Sequence, residues 1–330
     1  MSLMSFGAAI LAALITFSTN PLLLYDYNTK EYKDMSQNPV IVDTDFCGDV
    51  DDAVAVRLAT TLDSMHVCTL EAVGLTVTDP SGQNLAVQAL HGLMSYDGYG
   101  NVPIGTDVAN YKGETSKYWQ VLSEYSTTQP VTQDAVSLYK EVLSKCNEKV
   151  TIITTGYLTN IAALVEDDEG YQLLQDNCEK LVVMGGGIAS FWENNFAFYD
   201  GALKASNTVI EKFPCEIIFV PQEIAADVIV GGVVQQNDKE DPLSKAMSAW
   251  GTDNGRIAFD PSAVLIGCLP EDSLPYYYKT VKLKIEDDGV AIFYTTTDNT
   301  NKRVALRDKS LTASQYQNIF EGILGYKYQN

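Results

Sequence analysis

The chain has 330 residues, 46% hydrophobic and 20% charged, a composition within the globular range and a length that suits one large α/β domain or two small ones. With 43 acidic against 22 basic residues the formal charge is −21, which repels a phosphate backbone and argues against nucleic acid as a partner. Six scattered cysteines without a C-x-x-C pair argue against a zinc site or a disulfide framework, and two histidines, His66 and His91, are too few for imidazole-based metal or triad chemistry.

At the N-terminus the apolar stretch Ala8 to Phe17 is too short to span a bilayer and has no basic residue before it, as an export signal would. Two readings stand for it, a packed N-terminal helix and a degenerate signal sequence. Polar Tyr25 to Asn38 then reads as a linker, so that residues 1–38 form an extension and residues 39–330 a single α/β domain. Ordinary cysteine usage and the missing basic segment favour the cytoplasm, with secretion as the alternative, and no membrane partner is expected.

From Pro39 onward short β-branched runs alternate with helical patterns. PVIVDTD, LEAVGLTVTD, VPIGTD, KVTIITTG, EKLVVMGGG and CEIIFVPQE read as strands; DDAVAVRLATTLD, GQNLAVQALHGLMSYDG, TQDAVSLYKEVLSKC, LTNIAALVEDD and DGALKASNTVIEKF read as helices. This order predicts an open, doubly wound, mostly parallel sheet, with VKLKIEDDGVAIFYTTT and KRVALRD as an appended C-terminal hairpin. In such sheets ligands bind outside the carboxyl ends of the strands. Four of those ends carry unusual residues: DTDFCGDVDD, TVTDPSGQN, TTGYLTN and GGGIASFWENNF, to which FDPSAV adds Asp260.

Asp43, Asp45, Asp49, Asp51 and Asp52 fall within ten residues. Carboxylates a few ångströms apart repel and raise one another's pKa unless a cation lies among them. Oxygen ligands without imidazole or thiolate select a hard ion, and calcium accepts about six to eight of them. Asp51 and Asp52 also open a helix, where the macrodipole favours negative charge; capping plus a solvated acidic loop is the competing explanation.

VIVDTDFCGDVDDAVAV resembles the metal-binding signature of the nucleoside hydrolases, the inosine-uridine preferring ribohydrolase superfamily, in its longer form D-T-D-x-x-x-D-x-D-D-A. VTIITTGYLTNIAALV, LVVMGGGIASFWENNF and DPSAVLIGCLPE resemble the family's T-G-x-L-T-N-I-A, M-G-G-G…E-x-N and D-P-x-A-V segments in the same order. The resemblance implies a Rossmann-like α/β fold, nucleoside catabolism and a homodimer or homotetramer. It further implies a calcium ion held by Asp45, Asp52, the main-chain carbonyl of Thr155 and Asp260. Asp51, Glu193 and Asn195 would then contact the ribose hydroxyls, with Asp43 acting behind them and Asp49 given no role. Asp79 stands roughly where the family has an asparagine. Phe191, Trp192 and Tyr157 lie in the loops expected at the site, where a ring could stack on a nucleobase or merely pack the loop.

The expected reaction is hydrolysis of the N-glycosidic bond of a ribonucleoside or related riboside through an oxocarbenium-like transition state, a metal-bound water being activated by Asp45. The chain departs from the family in having Phe259 where relatives place a histidine before the late aspartate, and in a short GGGIASFWENNF loop. Two alternatives therefore stand beside hydrolysis: a metal-dependent nucleoside- or ribose-binding protein that has lost turnover, and an aspartate-based phosphohydrolase, which D-x-D after a strand would also suit.

Overall fold

The computed structural model describes residues 38–113, 115–189 and 191–328. The N-terminal apolar stretch expected as a packed helix or signal lies outside the described residues. Among those described, no helix is long and apolar enough to cross a membrane.

The chain runs β1 (Pro39–Thr44), α1 (Asp51–Ser64), β2 (Thr69–Leu75), α2 (Leu85–Tyr96), β3 (Ile104–Thr106), α3 (Trp119–Ser123), β4 (Thr132–Asp134), α4 (Ala135–Lys145), β5 (Val150–Thr154), α5 (Thr159–Glu166), α6 (Asp168–Asn177) and β6 (Cys178–Met184). It continues through β7 (Phe191–Trp192), α7 (Asn194–Ala197), α8 (Asp200–Lys212), β8 (Glu216–Val220), β9 (Ile229–Val230), α9 (Gly232–Asn237), α10 (Pro242–Trp250), β10 (Arg256–Ile257) and α11 (Phe259–Cys268). It closes with β11 (Tyr276–Ile285), β12 (Val290–Thr295), β13 (Lys302–Arg307) and α12 (Ala313–Leu324).

Eleven strands form one sheet in the order β4-β3-β2-β1-β5-β6-β8-β13-β11-β12-β7. Every pairing from β4 to β13 is parallel, and β11, β12 and β7 add antiparallel strands at one edge. The C-terminal strands are more than an appendage: β11 and β12 make the expected hairpin, but β13 slots in parallel to β8 and carries that hairpin on its other side. Tyr276 to Tyr278 open β11, with Tyr276 buried and the Tyr278 ring under Arg303.

A sheet covered on both faces buries successive residues of one strand in different cores. Val40 and Val42 of β1 accordingly join the core beneath α1 and α11, whereas Ile41 joins the core beneath α4 and α5. Asp43 shares the parity of Ile41 and meets Tyr139 of α4. After β1 the connections run outward to β2, β3 and β4 on one side and to β5, β6 and β8 on the other, so the crevice between β1 and β5 is the topological switch point, where α/β sheets bind ligands.

One buried ionic network fixes α1 in place. The Arg57 guanidinium, 2% exposed, donates from Nε to Asp97 at 2.7 Å and from both terminal nitrogens to Asp241 at 3.1 and 3.0 Å. Asp241 also caps α10 and accepts from Tyr328 at 3.0 Å, tying the C-terminal turn to the same knot. Burial alone would raise the Asp241 pKa, but Arg57 and Lys327 outweigh it and hold the carboxyl below the usual carboxylate range. Breaking a buried ion pair by removing one partner costs up to about 3–5 kcal/mol. Asp97 still faces Arg57 after Asp241→Ala, so that variant is expected to lose about 2–4 kcal/mol in urea unfolding at pH 7. Because the folded pKa is depressed, the Asp241 contribution is complete above the ordinary carboxylate pKa of about 4 and declines as pH falls through the lower folded value. A loss under about 1 kcal/mol, typical of a surface pair, would contradict this assignment.

Candidate active site

Four segments converge at the carboxyl ends of the central strands: the loop between β1 and α1, the turn after β5, the β6–α7 segment, and the start of α11. Their approach is close. A Cβ on Gly156 would stand 2.3 Å from the backbone nitrogen of Asp45, so only glycine lets the TTG turn pass under the aspartate loop. Thr155 N donates to the Asp43 carbonyl at 2.8 Å, continuing the β1–β5 ladder into the site. The aspartate loop itself bends through two left-handed residues, Phe46 at φ 47° and Gly48 at φ 69°.

These segments enclose a cavity of about 550 Å³, a size suited to a small organic ligand. Asp45, Asp49, Asp51, Asp52, Thr155, Tyr157, Trp192, Glu193, Asn195 and Asp260 all line it. One ligand oxygen from each of Asp51, Asp52 and Asp260 lies within 4.8 Å of the others. Asp45 borders this trio, its side chain next to that of Asp52. The resemblance implies Asp45, Asp52 and Asp260 as ligands and sets Asp51 beside the sugar; the oxygens within 4.8 Å of one another are those of Asp51, Asp52 and Asp260.

All four carboxylates are buried, and that burial dominates their titration. Desolvation, with repulsion from Asp51 and Asp49 behind it, pushes Asp45 up to about 7 despite its bonds to Asp52 and Cys47. Asp51, Asp52 and Asp260 are raised well above the carboxylate range, by burial first and next by neighbouring charge: Asp49 and Asp52 at Asp51, Asp45 at Asp52, and Asp51, Asp52 and Asp45 at Asp260. Arg256 is the basic side chain whose charge eases Asp51, and it is itself bonded to Asp49. A cluster of buried oxygen donors with so little basic compensation suits a hard divalent cation.

Beside the cluster, Glu193 caps α7. Its carboxylate accepts from Gly186 N at 2.8 Å and Asn195 N at 3.2 Å, and burial lifts it to about 7. Asn195 spends its amide hydrogens on the Thr155 carbonyl at 3.1 Å and the Met184 carbonyl at 3.3 Å, which directs its oxygen elsewhere. Asp43 sits behind the site. It accepts from Tyr139 and from Asn160 at 2.8 Å, does not line the cavity, and rises to about 7 through burial.

Asp79 is not brought to the site. Its carboxylate accepts from Ser81 N, Ser81 Oγ and Leu85 N, each at 2.8 Å, and so organises the turn entering α2 instead of facing the cavity. The Phe191 side chain, expected as a possible stacking ring, lies outside the described residues. Trp192 does line the cavity and is 44% exposed. Tyr157 packs edge-on to Tyr111 at 5.4 Å, and Tyr111 stacks on Tyr199 at 3.9 Å. Tyr111, Phe198 and Gln222 were missed by sequence reasoning; they reach the cavity from connections that carry no motif. Phe259 lines the wall just before Asp260.

The family model described as inosine-uridine preferring nucleoside hydrolase matches residues 40–307. A pyrimidine-specific ribonucleoside hydrolase, RihA of Photobacterium profundum, is 28% identical over 162 residues, 45% of this chain and 48% of RihA. A non-specific ribonucleoside hydrolase, RihC of Klebsiella pneumoniae, is 27% identical over 169 residues, 47% of this chain and 52% of RihC. These matches thus span about half the length of either curated relative. The solved structure of a purine-preferring ribonucleoside hydrolase from Gardnerella vaginalis shares the fold at a TM-score of 0.67 and 15% identity, covering 87% of this chain and 98% of that one.

The raised carboxylate pKa values carry a sign that can be tested without any ligand. A carboxyl that is harder to ionise when folded costs stability once pH exceeds its unfolded value of about 4, and the cost grows until the folded value is passed. For Asp45 that window runs from 3.8 to about 7. In chelator-treated protein Asp45→Asn is expected to raise the urea midpoint above pH 7 and to leave it nearly unchanged below pH about 4. An Asn variant less stable than wild type at both pH values would contradict the burial of a repelled carboxylate.

Proposed function

The chain belongs to the inosine-uridine preferring nucleoside hydrolase family, and on that premise we propose that it hydrolyses the N-glycosidic bond of ribonucleosides or related ribosides with the help of a calcium ion. The observation that carries this reading is the convergence of Asp51, Asp52 and Asp260 within 4.8 Å, bordered by Asp45, at one end of a nucleoside-sized cavity. Asp45, Asp52, Asp260 and the Thr155 carbonyl would hold the ion, and the ligand spacing of Asp51 makes it a further donor. When bound, the ion supplies charge that offsets these carboxylates, a fixed point for the ribose diol, and a modest acidification of the attacking water.

The remaining chemistry falls to side chains. Asp45, beside the ion, accepts a proton from the attacking water. Glu193 and Asn195 orient the sugar hydroxyls; Asn195 uses its oxygen, since its amide hydrogens are taken by Thr155 and Met184. As the bond to the base lengthens, positive charge grows on the ribose ring, and the surrounding carboxylates stabilise it. The base departs with the bonding electron pair. Phe259 brings no proton to it, so the leaving nitrogen takes its proton from another group at the cavity or from solvent, or leaves as an anion.

Phe259 also supports a second reading, a nucleoside- or ribose-binding protein of the same fold without turnover. The phosphohydrolase alternative loses its nucleophile geometry, since the first aspartate of its D-x-D, Asp43, does not line the cavity. We propose a homodimer or homotetramer on family grounds, acting on a free small-molecule riboside.

Reducing-sugar release from inosine, uridine and p-nitrophenyl riboside, with calcium or with chelator, tests the proposal. Chelation is expected to abolish release, Asp45→Asn to lower kcat about 10²–10⁴-fold, and 2′-deoxy substrates to fall by about 10⁴ or more. The nitrophenyl riboside, whose leaving group needs no proton, should be the best of the three. Calcium-dependent binding of inosine with no release from any substrate would favour the binding protein instead.

A further inference from the structure

The loop between β1 and α1 is held by contacts that the reaction itself does not use. Its carbonyls are taken in alternation by indole nitrogens: Trp119 Nε1 donates to Phe46 O at 2.6 Å and Trp250 Nε1 donates to Gly48 O at 2.7 Å. With Trp192 in the cavity, all three tryptophans of the chain are placed at this site. Between the indole-bound carbonyls and α1 stands Asp49, whose carboxylate accepts from Val50 N at 2.6 Å and is gripped by Arg256 through Nε at 2.8 and 3.0 Å and through a terminal nitrogen. The Arg256 guanidinium lies 4.7 Å over the Trp250 ring, so one aromatic side chain both braces the cation and holds the loop.

The positions joined by this contact matter more than its strength. Asp49 directly precedes the helix start that carries Asp51 and Asp52; Arg256 lies in β10, directly upstream of the helix start that carries Asp260. The two segments are 207 residues apart in sequence, and the Asp49–Arg256 pair crosses from one to the other immediately before the carboxylates meet. The Asp260 amide completes the alignment by donating to Asp51 at 3.3 Å.

We propose that Asp49, Arg256 and Trp250 are positioning residues, forming a clasp that locks the aspartate loop to β10 and so sets the spacing of Asp51 and Asp52 from Asp260 for one divalent cation. The cation part of this proposal rests on the calcium reading above. A purely electrostatic role for Arg256 has the opposite signature. Removing a positive charge next to buried carboxylates makes the site more anionic and tightens a divalent ion; loosening the clasp weakens it.

Arg256→Gln in the full chain separates these cases, with Arg256→Lys as the conservative variant and Trp250→Phe as a milder break that keeps a ring beneath the guanidinium. Calcium chloride is titrated by calorimetry, and exchange of the Phe46 to Val50 amides is followed by mass spectrometry in chelator-treated protein. Arg256→Gln is expected to weaken calcium at least tenfold and to speed loop exchange at least tenfold, with Arg256→Lys regaining part of both and Trp250→Phe shifting both about threefold. Calcium binding equal to or tighter than wild type in Arg256→Gln, or unchanged loop exchange, overturns the clasp. Should wild-type protein bind no calcium, the functional reading fails, and loop exchange alone then decides whether the clasp exists. Should Arg256→Gln not fold, Trp250→Phe gives the same two readouts.

Discussion

Like charge buried at one point is the constraint around which this molecule is arranged. Asp45, Asp51, Asp52 and Asp260 are each at most 7% exposed, burial raises the cost of ionising every one of them, and neighbouring aspartate charge adds to it at each. Burial of ionic groups is tolerable where a buried counter-charge answers them, as Asp97 and Asp241 answer Arg57 further along α1. At the mouth of the central strands the described residues offer only Arg256 nearby, and Asp49 already engages it. A divalent cation held there would offset that cost, and part of its binding energy would come from the fold itself.

The backbone makes such a gathering possible. Strand order reverses between β1 and β5, opening a crevice into which both strands deliver their last residues. Gly156 lets the two turns approach, and Asn195 braces the Thr155 carbonyl from the β6 side. Helices α1 and α11 then bring their N-termini, and with them the partial positive charge of their first turns, to the same carboxylates. Arg57 anchors the body of α1, while the two indoles and Arg256 hold the loop that leads into it.

Much of this was legible in the sequence because it is written locally. The alternation of β-branched runs with helical periodicity pointed to the parallel sheet, and the crowded aspartates could be read as a site because five of them follow a single strand. The T-T-G turn and the late D-P-S-A-V helix carried similar local marks. What escaped depends on partners far away in the chain or on how a turn closes. The turn signal Asp79-Pro80-Ser81-Gly82 could have assigned the Asp79 carboxylate to the Ser81 amide, but its bond to Leu85 is not marked there, and nothing near Arg256 points to Asp49. Short α3 has no amphipathic repeat, yet its Trp119 reaches the Phe46 carbonyl. The insertion of β13 between β8 and β11 is a choice of neighbour between two strands that both mix apolar with basic residues, and local composition does not decide which of them sits inside.

Anomalous scattering from crystals grown with calcium chloride tests the central claim most directly. The account predicts one strong peak at about 2.3–2.6 Å from carboxylate oxygens of Asp52 and Asp260 and from the Thr155 carbonyl, with Asp45 and Asp51 beside it. A crevice without such a peak, or one in which a basic side chain from elsewhere in the assembly fills the position, would contradict it.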